Sequence, residues 1–137
     1  MKKILTILGC IILFAATSCT KQYVSPTTTT NLTVYANVVS TDWKLYTDNN
    51  GKSSYTVPIS VSQISSSFTQ FGGIIVAVSY DGGSTYEQVP EVYNGISYSY
   101  TYNTGNVSLY AQSADGNTAV APTLPIKVKI TLVDAHG

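Results

Sequence analysis

Residues 126–132 read Ile126-Lys127-Val128-Lys129-Ile130-Thr131-Leu132. Four branched apolar side chains alternate with two lysines and a threonine, a period of two that turns one face to a core and the other to water. On a helix the same residues would be spread around the axis, because side chains there repeat every 3.6 residues. This stretch is expected to be a strand that closes a sheet.

Working upstream, the same alternation recurs. Ile96, Tyr98, Tyr100 and Tyr102 alternate with Ser97, Ser99 and Thr101, and Val107, Leu109 and Ala111 follow the same rule. Leu32, Val34, Ala36 and Val38 oppose Thr33, Tyr35 and Asn37, and Tyr55, Val57, Ile59 and Val61 form another series. Trp43 to Thr47 reads as a strand, and Ile74 to Tyr80 is nearly continuous apolar sequence, as a central strand would be. Asp48-Asn49-Asn50-Gly51, Asp81-Gly82-Gly83 and Asp115-Gly116-Asn117 supply turns, the second leading into a hairpin strand over Ser84 to Val89. Pro58 has no amide to donate, so its strand lies on an edge or carries a bulge. One segment departs from period two. Ile64, Phe68 and Phe71 recur at helical spacing before Gly72-Gly73, with Ser62 as a candidate cap. The expected fold is all-β, an immunoglobulin-like antiparallel β-sandwich of seven or eight strands with one short helical turn. The immunoglobulin cysteine pair is absent, so only the architecture carries over.

The sandwich is expected to occupy residues 31–137. Ahead of it, Met1-Lys2-Lys3 is a basic head and Ile4 to Ala16 an apolar run. The small residues Ala16-Thr17-Ser18 precede Cys19. That is the layout of a secretory signal over residues 1–18. The run, about 13 residues, is shorter than the roughly 20 a spanning helix needs. Ala16-Thr17-Ser18-Cys19 resembles a lipobox, with Ala16 where Leu is usual, which marks Cys19 for lipidation. The same three residues also satisfy the small-x-small rule of ordinary signal cleavage. Residues 19–30, with four consecutive threonines, show no periodic pattern and read as a lipid-anchored flexible tether.

Beyond the signal there are Lys21, Lys44, Lys52, Lys127 and Lys129 against Asp42, Asp48, Asp81, Glu87, Glu91, Asp115 and Asp134, and no arginine. Binding to a phosphate backbone relies on clustered Lys and Arg, so nucleic acid is excluded as a partner. With Cys10 in the signal and Cys19 at the start of the mature chain, no intrachain disulfide is available.

Catalytic chemistry finds little material. The only histidine is His136, one residue from the end. Glu87 and Glu91 are the nearest carboxylate pair, separated by Pro90 among others, and read as solvent-exposed. No enzyme activity, metal or cofactor is expected. Asp48-Asn49-Asn50-Gly51 and Asp115-Gly116-Asn117 lack calcium-loop spacing and are explained as turns. Ser79-Tyr80-Asp81-Gly82-Gly83-Ser84-Thr85-Tyr86 resembles the Asp-box, with Tyr86 in place of Trp. It occurs once, too seldom for a propeller, and reads as a hairpin tip. The chain has 11 tyrosines, and Tyr98, Tyr100 and Tyr102 fall on one face of one strand. They can line the core, or they can form a flat platform for sugar rings or a partner protein.

From Trp43 to Val133 the landmarks run Trp43, Val57-Pro58, Ile64 to Gly73, Ile74 to Val78, Val89-Pro90, Tyr98-Ser99-Tyr100 and Ile126 to Val133. This order resembles a group of small uncharacterised lipoproteins of Bacteroidota. The resemblance implies an envelope location and a sandwich fold, and supplies no activity. The resulting expectation is a non-catalytic lipoprotein held on the outer membrane, at its periplasmic or surface face, by the lipid on Cys19. Its domain would bind a polysaccharide or another envelope protein through Tyr98, Tyr100 and Tyr102. A purely structural envelope subunit or a small carboxylate-dependent hydrolase are the alternatives.

Overall fold

The computed structural model describes residues 31–133 and the short strand Tyr23–Val24. Residues 1–18, Cys19 and His136 lie outside the described residues.

Two antiparallel five-stranded sheets pack face to face. One is built from β1 (Tyr23–Val24), β2 (Leu32–Val38), β10 (Ile126–Val133), β5 (Gly73–Ser79) and β6 (Glu87–Gln88), in that spatial order. The other has β3 (Lys44–Thr47), β4 (Ser53–Ser60), β9 (Asn106–Ser113), β8 (Ile96–Asn103) and β7 (Glu91–Tyr93). The fold is the expected all-β sandwich. The described strands outnumber the seven or eight expected because β1, β6 and β7 span only two or three residues each, too few to show a period.

The period-two residues do what their spacing requires. Val34, Val38, Val57, Ile59, Val76, Val78, Tyr98, Val107, Leu109, Ala111, Val128 and Ile130 are buried between the sheets. Each Val or Ile so enclosed contributes roughly 1.5–3 kcal/mol. The strand Ile126–Val133 does not border its sheet. It lies in the interior, pairing with β2 through Ile130↔Val34 and with β5 through Ile130↔Val76. Alternation reports a half-buried strand and is blind to whether that strand has one neighbour or two.

Several boundaries move for local reasons. Trp43 is not the first residue of β3. It ends a 3-10 turn, Ser40–Asp42, which carries the chain from one sheet to the other, and its ring is buried. The helical turn is α1 (Ser66–Phe71), capped by Ser65 and not by Ser62: Ser65 Oγ accepts the Phe68 amide at 3.0 Å. Ser84 to Val89 contributes only Glu87–Gln88 to the sheet, because Asp81 holds the preceding amides in a turn. Two residues of the stretch read as a tether, Tyr23 and Val24, pair with Val34 and Thr33 instead. The open edge of β2 offers them backbone partners that no pattern in their own sequence announces. Pro58 sits where the β3–β4 ladder has ended at Lys44↔Thr56, so its strand is locally an edge, as expected.

Candidate functional site

The three tyrosines of β8 do not form an open platform. Tyr98 is 3% exposed, Tyr100 is half-buried and only Tyr102, 37% exposed, reaches solvent. Their face of β8 is the inner one, which the other sheet covers. Burying the Tyr100 phenol is offset because its hydroxyl donates to the Ile74 carbonyl at 2.8 Å. Tyr98 packs its ring against that of Tyr80, centroids 5.9 Å apart.

Tyr98 belongs to a cluster where β6 passes to β7 across the two sheets. The rings of Tyr80 and Tyr93 stack at 3.7 Å with their planes 6° apart. Tyr80 is also tilted against Tyr98, which in turn meets Trp43. Tyr80 donates to Glu91 Oε1 at 2.7 Å. Burial, the bond to Glu91 and surrounding negative charge push the Tyr80 hydroxyl far above its usual range. Burial and the charge of Glu91 push Tyr98 up to about 12. Glu91 itself is raised, first by burial and then by a hydrogen bond with Glu87. Glu87 and Glu91, read from sequence as separate exposed carboxylates, are therefore brought together. Trp43 Nε1, by contrast, is buried with no hydrogen-bond partner among the described residues.

The aromatic surface open to a ligand lies on the outer face of the second sheet. Outward side chains form rows there because strand partners share a face. One row crosses Tyr46, Ser54 and Gln112. The next crosses Lys44, Thr56, Tyr110 and Ser99. Tyr46 and Tyr110 meet edge-on with ring centroids 6.1 Å apart, and Tyr46 is 46% exposed. The small Ser54 lies between their strands and is buried. Together with Asp48, Lys52, Ser99 and Gln112 they line a cleft of about 220 Å³. Apolar ring faces beside hydroxyl, amide, ammonium and carboxylate groups can hold a sugar by stacking and hydrogen bonding at once. Sequence reading missed this pair because Tyr110 has the solvent-side parity of its strand, opposite to Leu109 and Ala111. That parity was the available signal.

The Asp-box resemblance describes a hairpin tip, as expected. Asp81 Oδ1 accepts the Ser79 hydroxyl at 2.7 Å and the amides of Ser84 and Thr85 at 3.0 and 2.9 Å, while Gly83 donates to Ser79 Oγ at 2.8 Å. These bonds hold the Asp81 carboxyl well below the usual carboxylate range. Tyr86 packs on the sheet beside Tyr35, with Lys129 Nζ 4.6 Å from its ring centre. The loop after β9 repeats the device: Ser113 Oγ donates to Asp115 Oδ1, which also accepts the Asn117 amide at 3.0 Å. Both aspartates direct a carboxylate oxygen at their own turns.

Comparison of the chain with family models, with curated proteins and with solved structures gives no match. The reading of function rests on the geometry above.

Proposed function

We propose that the chain is an exported, non-catalytic envelope lipoprotein, anchored through Cys19, whose sandwich domain binds glycan on the outer face of its second sheet. The observation that carries the reading is the edge-on Tyr46–Tyr110 pair set among Asp48, Lys52, Ser99 and Gln112 in one cleft. The signal layout and the resemblance to Bacteroidota lipoproteins support the outer membrane as its address. Tyr102, the exposed member of the β8 trio, is not needed for this site.

The test is binding of soluble Thr20–Gly137 to a panel of bacterial and plant polysaccharides, beside Tyr46→Ala and Tyr110→Ala. Loss of one stacking ring is expected to weaken binding by about tenfold, corresponding to about 1.4 kcal/mol, with the fold retained. Absence of binding across the panel removes the glycan reading and leaves an envelope protein as the partner, to be sought by crosslinking in native membranes. Concentration-dependent assembly of the purified domain would instead favour a structural subunit.

A further inference from the structure

Two polar side chains are buried among the described residues, Ser54 and Ser79. Ser79 is fully engaged: its hydroxyl donates to Asp81 and accepts the Gly83 amide. Ser54 is 9% exposed and lines the cleft beside Tyr46 and Tyr110, and its hydroxyl has no hydrogen-bond partner among the described residues. A hydroxyl withdrawn from bulk water costs stability until something bonds to it. Beside it in the cleft, the side chains of Ser99 and Gln112 are likewise uncommitted among the described residues. The two charges of the cleft cancel. Asp48 Oδ1 accepts the amides of Asn50 and Lys52 at 2.9 and 2.8 Å, and Lys52 supplies the ammonium. A charged ligand that gains from one of these groups is opposed by the other. The rings limit the size. Tyr46 and Tyr110 are inclined at 61°, so they offer no common plane to two successive sugars of an extended chain. The cleft volume of about 220 Å³ is below the roughly 300–1,000 Å³ that drug-sized ligands occupy.

We propose that the cleft takes a single uncharged pyranose ring, seated in the angle between Tyr46 and Tyr110, with one sugar hydroxyl bonded to Ser54. This names the ligand class of the glycan site and rests on the glycan reading above. The C–H face of the sugar lies on aromatic carbon, and Ser99 and Gln112 receive its outer hydroxyls. A polysaccharide is then held one residue at a time, and the rest of its chain stays in solvent. Affinity follows from the identity of that one sugar and not from the length of the chain.

The experiment uses the full chain, expressed in bacteria and purified in a detergent without a sugar headgroup. A polysaccharide that binds in the panel is competed with methyl pyranosides of its constituent sugars, with linear oligosaccharides of the same sugars, and with methyl glucuronide and methyl glucosaminide. A neutral methyl pyranoside is expected to displace the polysaccharide, and the oligosaccharides to bind within about threefold of it. Ser54→Ala is expected to weaken the neutral pyranoside by about threefold to tenfold with the denaturant midpoint unchanged, because the hydroxyl has no described partner to lose. A gain of about tenfold or more with chain length overturns the single-ring site. Displacement by charged pyranosides alone, or unchanged binding in folded Ser54→Ala, overturns it too. In each of these outcomes glycan binding itself stands. Absence of polysaccharide binding across the panel removes the glycan reading and this inference together, so the two failures are told apart.

Discussion

The Tyr100 hydroxyl of one sheet donates to the main-chain carbonyl of Ile74 in the other, at 2.8 Å. It is a polar pin through an apolar interface, and it ties β8 to β5 at a fixed register. Tyr100→Phe removes the donor and leaves a carbonyl inside the sandwich without it. The expected cost is about 1–2 kcal/mol in denaturant unfolding, against less than about 0.5 for Tyr102→Phe on the same strand. Equal stabilities for the two variants would show that the bond does not hold the sheets.

Glu91 predicts an unusual limb in the pH profile. Its folded pKa is raised, so in the window above 4.5 the folded state holds a proton that the unfolded chain has released. Stability from this group is complete below the unfolded value and declines as pH rises through the folded one. Glu91→Gln keeps an acceptor for Tyr80 and carries no charge. The variant should flatten that decline, equalling or exceeding the parent in stability at pH 7. A steeper decline in the variant would mean the carboxylate is stabilised by something other than its proton.

Asp81 acts with the opposite sign. Its pKa is depressed by the Thr85 amide, the Ser79 hydroxyl and the Ser84 amide, so its contribution is present above the unfolded value and lost as pH falls towards the folded one. Asp81→Asn and Ser79→Ala should each loosen residues 79–86, seen as faster amide exchange at Gly83 to Thr85. The remainder of the sandwich should keep its protection.

Gly72 is needed for space, not for an unusual backbone angle. At φ −90° its backbone suits any residue, but a Cβ there would lie 2.4 Å from the Phe68 ring. Phe68 is partly buried and packs against the core, so moving its ring aside gives up that packing. Gly72→Ala is expected to cost about 1–3 kcal/mol as an overpacking change, and Phe68→Leu should relieve it in the double variant. Thermal unfolding of the four proteins in the cycle measures the coupling.

Alternation by itself determined that Leu32–Val38, Ser53–Ser60, Ile96–Asn103, Asn106–Ser113 and Ile126–Val133 are strands, and which side of each faces inwards. That much is local, because side-chain direction along a strand depends only on odd or even position. The turn at Asp81 was equally legible, since its hydrogen bonds stay within a few residues. Tertiary structure alone decided the rest. The inner face of β8 is covered, so Tyr98 and Tyr100 serve the core, while Tyr46 and Tyr110 meet on an outer face through strands distant in sequence. Glu87 and Glu91 come close enough to interact because the chain changes sheets between them. Parity says that a side chain points away from its neighbour in the chain; only strand order says what lies there to receive it.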